Sequence, residues 1–278
     1  MYEDLKYEVD GPTAVITFNR PDKLNALTRR MLAEMKHAIA QAESDENVIG
    51  IVITGEGRGF TAGMDMQALS DLGAAGGTGN RKDPDWGLKA DPGDPAMGEN
   101  FAQYYSYFMS VRKPIIGAIN GPCAGLGFVI AMLCDIRFVA KEAVMTGAFS
   151  QRGLVAEYGI SWLLPRLIGV SKTLDLLWTS KKISGEEAVK MGLADYLATA
   201  DTVLDEAKAY IEDLAETAAP YSIMMMKRQV YRHLNMELGP ALEETSEWIA
   251  ESTARDDFKE GVNAYLEKRP PQFSRVKT

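Results

Sequence analysis

The sequence predicts an α/β core followed by a helical C-terminal region. Three observations carry that expectation. Short β-branched runs alternate with helical stretches through the first half, two glycine-bearing turns each lead from a strand into a helix, and the second half turns helical. Thr13-Ala14-Val15-Ile16-Thr17-Phe18 and Val48-Ile49-Gly50-Ile51-Val52-Ile53 read as buried strands. Between them Met31, Leu32, Met35, Ile39 and Ala42 fall on one helical face, with Thr28 placed as the N-cap. Pro114 to Ile119 and Ile136 to Ala140 supply two more strands, joined by a helix that begins near Leu126. Strand, helix and strand in repetition argue for βαβ units with crossovers on one side.

From about Gly73 to Gly98 the chain is rich in Gly, Asp and Pro, which reads equally as a lid loop or as disorder. Ser184-Gly185-Glu186-Glu187 has the form of a capping box, and the short helix it opens stops at Gly192. Helices are then expected at about 201–217, 221–235, 239–250 and 258–267. The division is thus a core over 1–200 and a helical region over 201–278, the kind of appendage that packs on a neighbouring subunit.

The whole chain excludes several classes. Its 278 residues are 46% hydrophobic and 25% charged, which suits one large α/β domain with a smaller appendage. A net charge of −9 disfavours a nucleic-acid surface, because phosphate attracts the opposite sign. The acidic start Met1-Tyr2-Glu3-Asp4 has no secretory signal pattern, and no apolar run is long enough to span a bilayer, so no membrane role is expected. Cys123 and Cys134 lie in apolar surroundings and are read as buried free thiols of a cytoplasmic protein rather than as a disulfide. His37 and His233 stand apart with no metal-ligand spacing, so no metal site is expected.

The two glycine-bearing turns carry the chemistry. They are Gly55-Glu56-Gly57-Arg58-Gly59-Phe60-Thr61-Ala62-Gly63-Met64-Asp65 and Asn120-Gly121-Pro122-Cys123-Ala124-Gly125-Leu126-Gly127. A strand-to-helix turn leaves backbone N–H groups unpaired, and the helix dipole adds positive potential. Glycine lets that backbone come close to a ligand. Two such turns face to face could offer one N–H apiece to a single oxygen, an oxyanion hole; either one alone is ordinary punctuation. There is no GxxxxGK[ST], no dinucleotide fingerprint and no GxSxG elbow with a histidine partner.

At these residues the chain resembles the enoyl-CoA hydratase/isomerase (crotonase) family. The matching stretches run in family order: Asn19-Arg20-Pro21-Asp22-Lys23-Leu24-Asn25-Ala26-Leu27, Gly59-Phe60-Thr61-Ala62-Gly63-Met64-Asp65, Lys113-Pro114-Ile115-Ile116-Gly117-Ala118-Ile119-Asn120-Gly121, Cys134-Asp135-Ile136-Arg137 and Leu164-Pro165-Arg166-Leu167-Ile168-Gly169. The resemblance implies a ββα spiral core and a C-terminal helical region that builds a homotrimer or a dimer of trimers. It implies an acyl-CoA substrate, with coenzyme A entering as part of the thioester and no separate cofactor. The oxyanion hole would be the N–H groups of Met64, after Gly63, and Leu126, after Gly125. Lys23, Leu24, Ala26, Ala62 and Asp65 would contact coenzyme A or support its turn, although Asp65 reads equally as a helix cap. Tyr265 and Lys268 would reach a neighbour's nucleotide, or form a plain surface pair.

The carboxylates select among reactions. Family hydratases use two acids, whose positions correspond here to Val129 and Phe149, and neither side chain carries a proton. Gly153-Leu154-Val155-Ala156-Glu157-Tyr158-Gly159 instead places Glu157 where family isomerases carry their acid. Apolar neighbours should raise its pKa toward a range useful for shuttling a proton. Tyr158 is an acyl-pocket wall or core, Trp162 is read as core, and Arg152 is a weaker candidate for a polar contact. The leading expectation is double-bond isomerisation of an enoyl-CoA, with hydration through Glu157 and water second. A non-catalytic CoA-binding scaffold and other thioester chemistries are the alternatives.

Overall fold

The computed structural model describes residues 2–74 and 84–276. It opens with a hairpin in which β1 (Leu5–Asp10) runs antiparallel to β2 (Thr13–Phe18). Sequence reasoning missed β1. Leu5, Tyr7 and Val9 alternate there with Lys6, Glu8 and Asp10, so a period-two signal was present, although on this edge strand Leu5 is the only buried residue. Helix α1 (Arg29–Ser44) starts at Thr28, whose hydroxyl accepts the Met31 N–H at 2.9 Å. Its buried face carries Met31, Met35, Ala38, Ile39 and Ala42. Next come β3 (Gly50–Gly55), α2 (Met66–Ala74), α3 (Tyr107–Ser110) and β4 (Ile115–Ile119). They are followed by β5 (Cys123–Ala124), α4 (Leu126–Leu133), β6 (Ile136–Ala140) and β7 (Val144–Thr146). Then α5 (Ile160–Ile168), α6 (Val170–Thr179), β8 (Ile183–Ser184), α7 (Gly185–Met191) and β9 (Tyr196–Ala198) complete the core. The capping box at Ser184 and Glu187 bounds α7 at one end, and Gly192, left-handed at φ 87°, bounds the other.

Six strands form one sheet in the order β1-β2-β3-β4-β6-β9, parallel throughout except for the first hairpin. A smaller sheet has the order β5-β7-β8. The central strands are buried on both faces, as parallel strands covered by helices must be. Ile51, Ile53, Ile115 and Ile119 point into the main core with α1 and α4, whereas Val52, Ile116 and Ala118 point the other way. That second face is closed by Val203, Ala207 and Ile211 of α8 (Val203–Thr217). The contact is tight: a Cβ on Gly50 would lie 2.8 Å from Ile211 Cδ1. The remaining helices are α9 (Pro220–His233), α10 (Leu238–Ala254) and α11 (Asp256–Glu267).

Of the stretch read as lid or disorder, residues 75–83 lie outside the described residues. The part that follows is fastened. Lys36 pairs with Asp91 at 2.9 Å, the Gly93 N–H donates to Glu43 at 2.7 Å, and Asp94 takes ion pairs from Arg112 and Arg228. Met97 and Phe101 then turn into the core. Among the described residues, no helix is long and apolar enough to cross a membrane, and no cluster of three or more His, Cys, Asp or Glu could hold a metal ion. Cys123 and Cys134 are buried free thiols, and burial pushes both thiols well up.

Candidate active site

The two glycine-bearing turns meet. Thr61 and Cys123 form a parallel β-bridge, in which the Thr61 N–H donates to Pro122 at 3.1 Å and the Ala124 N–H donates to Thr61 at 3.0 Å. A second parallel bridge joins Leu27 to Met64. There the Leu27 N–H donates to Gly63 O at 2.8 Å, and Asp65 N–H donates to Leu27 O at 3.0 Å. In a parallel bridge the residue flanked by those bonds turns its own N–H to the opposite side. Met64 therefore directs its N–H away from Leu27. It has no hydrogen-bond partner among the described residues.

The second turn is built around Gly125, at φ 53° and ψ −123°, outside the space open to other residues. Gly125 N–H donates to Thr146, and its carbonyl accepts the first bond of α4, from Val129. Leu126 is thus the first residue of the helix, where an N–H has no intrahelical acceptor. It too has no partner among the described residues. The turns are close enough to share one ligand atom. A Cβ built on Gly63 would lie 2.6 Å from Ala124 O and 3.4 Å from Leu126 N. Only glycine leaves that space open.

Asparagine side chains lock this geometry, and sequence reasoning gave them no role. Asn25 is fully buried; its Nδ2 donates to Glu56 O at 3.0 Å and Gly59 O at 2.8 Å, while its Oδ1 accepts the Arg20 N–H at 2.9 Å. Asn120 Nδ2 donates to Gly55 O and Gly57 O, tying the second turn to the first. The available signal was a polar residue enclosed by Leu24, Ala26 and Leu27. Asn25→Ala should strand one buried and two part-buried main-chain groups, lowering stability by about 1–3 kcal/mol. Denaturant melts read this directly, and an unchanged midpoint would remove Asn25 from the framework.

Lys23 and Ala62 are exposed beside the first turn, with Leu24 and Ala26 half-buried between them. Leu24 and Asn25 both have positive φ, and Leu24 O accepts the Ala62 N–H at 2.9 Å. Asp65 faces inward. Its carboxylate accepts the Gln67 N–H at 3.0 Å at the start of α2 and pairs with Arg20 at 3.1 Å. The Gln67 amide first, and the Arg20 guanidinium after it, hold its carboxyl below the usual range. Tyr265 is 85% exposed near the end of α11, and Lys268 is its left-handed C-cap. No hydrogen bond, ion pair or ring contact among the described residues joins either one to the paired turns.

Glu157 lies on the turn that enters α5, and its carbonyl accepts the Ile160 N–H at 3.0 Å. Helix α5 packs on α4, the helix that Leu126 begins. The Glu157 carboxylate is half-buried, with no hydrogen bond or ion pair among the described residues. Burial holds its carboxyl above the ordinary carboxylate range. Arg152 is turned back onto Ala148 O at 3.0 Å. Val129 and Phe149 are buried and apolar, so no second acid stands at either position. Trp162 packs half-buried on the core, with the Arg166 guanidinium over its ring at 3.9 Å.

The family model described as enoyl-CoA hydratase/isomerase matches residues 8–276. A probable enoyl-CoA hydratase of Bacillus subtilis (strain 168) is 32% identical over 95% of this chain and 96% of its own. The 1,2-epoxyphenylacetyl-CoA isomerase of Escherichia coli (strain K12) is 29% identical over 99% of both. The crystal structure of an enoyl-CoA hydratase subunit from Geobacillus kaustophilus HTA426 superposes with a TM-score of 0.82, at 28% identity over 99% of each chain. The fold of the relatives is that of this chain from end to end, and the match spans both turns and the Glu157 segment. The chain is an enzyme of the enoyl-CoA hydratase/isomerase family.

Proposed function

We propose that this enzyme moves the double bond of an enoyl-CoA. The thioester oxygen sits between the N–H groups of Met64 and Leu126, and Glu157 carries the proton. Glu157 takes a proton from the γ-carbon; the electron pair moves into a conjugated dienolate, and the negative charge collects on the thioester oxygen. Glu157 then returns the proton at the α-carbon, which moves the double bond of a 2-enoyl thioester to the 3-position, out of conjugation with the carbonyl. The reverse transfer uses the same groups: run from a 3-enoyl thioester, Glu157 takes the α-proton and returns it at the γ-carbon, which leaves the double bond conjugated. Two preorganised N–H donors stabilise the oxyanion without reorganising, which is the largest single contribution in chemistry of this kind. A carboxylate with raised pKa accepts and returns a proton more evenly than a solvated one.

The observation that carries this reading is the opposed pair of turns, with two N–H groups unpartnered among the described residues and no side chain at Gly63. Names among the relatives cover both hydratases and isomerases, so the choice rests on the residues. Hydration by two acids has no second carboxylate here, because Val129 and Phe149 occupy those places. Lys23, Leu24, Ala26, Ala62 and Asp65 hold or support the coenzyme A end of the substrate. Tyr265 and Lys268 reach the nucleotide bound by a neighbouring subunit in a trimer or a dimer of trimers. No separate cofactor takes part, and the cytoplasm is the working compartment.

The test is a panel of 2-enoyl, 3-enoyl and dienoyl thioesters incubated in D2O, with products followed by mass and absorbance. Deuterium gained at the γ-carbon when a 3-enoyl thioester becomes 2-enoyl, or at the α-carbon in the reverse direction, together with the shifted double bond, is the expected result. Products heavier by one water, with no isomer formed, would transfer the assignment to hydration.

A further inference from the structure

Three tyrosines surround the Glu157 turn, and the chemistry above uses none of them. Tyr158 follows Glu157 directly. Its ring stands edge-on to Tyr105 at 4.9 Å and tilted against Tyr104 at 5.5 Å. Tyr104 and Tyr105 come from the segment just before α3, so a distant part of the chain is brought against the ring of Tyr158, the residue that follows Glu157. Met64, Tyr105 and Tyr158 all pack half-buried on the same hydrophobic core.

The backbone under this cluster is unusual. Tyr104 has φ 40° and Tyr158 has φ 50°, in the left-handed region that bulky L-residues avoid. Tyr104 is nevertheless 77% exposed, so burial of its own ring does not account for the conformation. The segment is also held firmly. Ser106 Oγ donates to Asn100 O and Gln103 O and accepts the Gln103 N–H, while Phe101, Tyr107 and Phe108 anchor it in the core. A strained, rigid presentation of an exposed ring, packed on the residue next to a half-buried carboxylate, is the pattern of a binding wall.

We propose that Tyr104, Tyr105 and Tyr158 are the specificity-determining wall of the acyl site, and that the preferred acyl group carries a flat ring, aromatic or cyclic and conjugated, close to the reacting carbons. This rests on the reading of Glu157 as the proton carrier. Rings offset or edge-on to one another attract beyond the area they bury, whereas a flexible alkyl chain gains only burial. An alkyl chain also gives up more rotamer freedom against a rigid wall.

The test is binding of saturated, unreactive thioesters of equal carbon number, 3-phenylpropionyl-CoA and nonanoyl-CoA, measured by calorimetry. The wild-type protein should prefer the phenyl ligand. Tyr104→Leu, at an exposed position, should weaken it about three- to tenfold and leave nonanoyl-CoA unchanged. Tyr158→Leu should act in the same direction, and Tyr104→Phe should restore the wild-type preference. Equal affinity for the two ligands in the wild-type protein, or equal losses for both in Tyr104→Leu, would overturn the proposal. Failure of the underlying reading looks different: coenzyme A thioesters do not bind at all, or Glu157→Gln keeps full turnover.

Discussion

Glu157→Gln is expected to lower the rate of double-bond transfer by about 10²- to 10⁴-fold, the range general acid–base groups contribute. Glutamine keeps the size and polarity of the side chain and removes only its ability to accept a proton. Thioester affinity should therefore stay near that of the wild-type enzyme, and the loss should fall on kcat. The pH profile adds a sign. Burial raises the Glu157 pKa above its ordinary value of 4.5, so the basic form is complete only above that raised value. The acid limb of kcat should thus lie on the high side of 4.5, and it should vanish from the residual rate of the variant. A variant that retains the wild-type rate, or the same acid limb, would assign the proton transfer to another group.

The same shift predicts a stability effect of opposite direction. A carboxyl whose folded pKa is raised contributes stability in full below its unfolded pKa and loses it as pH rises through the folded value. Glu157 therefore works against folding at neutral pH, where its charge is half-buried without a partner among the described residues. The Gln variant should melt at or above the wild-type temperature at pH 7, with the difference closing toward pH 4. Loss of activity together with gained stability is the signature of a group kept for chemistry.

Much of the fold was legible because its signals are local. Thr28 and Ser184 announce their helices by caps a few residues long, and the runs ending at Phe18 and Ile119 are short, largely buried and rich in β-branched residues. What escaped is mostly without such a signal: β5, β7 and β8 are too short to show a period, whereas β1 does alternate, with Leu5, Tyr7 and Val9 between charged residues, in a strand that buries only Leu5. The stretch read at Val48–Ile53 begins its pairing at Gly50, because Val48 and Ile49 enter the core ahead of the first ladder bond. In the candidate site, the pairing of the two turns was suggested by their glycines, but the bonds that fix it are long-range. Thr61 to Pro122 and Asn120 to Gly55 join positions that no sequence window holds together. The ring cluster of Tyr104, Tyr105 and Tyr158 is legible only in three dimensions, for the same reason.

Leu126→Pro should remove the second N–H donor and little else of the backbone. Proline is tolerated at the first position of a helix, where its missing N–H was never part of the helical ladder. The preceding residue, Gly125 at φ 53° and ψ −123°, is outside the helical region that a following proline excludes. Leu126 is 4% exposed, so any smaller residue there also loses packing. Leu126→Ala supplies the control, since it gives up a similar side chain and keeps the N–H. Both variants should fold and lose stability by comparable amounts. Their kcat values should nevertheless differ by about 10²- to 10³-fold, the usual cost of one oxyanion donor. Equal activity in the two would mean that Met64 N–H carries the oxygen with some other donor, and the pairing of the turns would then serve only the architecture. A large gap confined to kcat would mean that the donor acts on charge that exists only in the transition state.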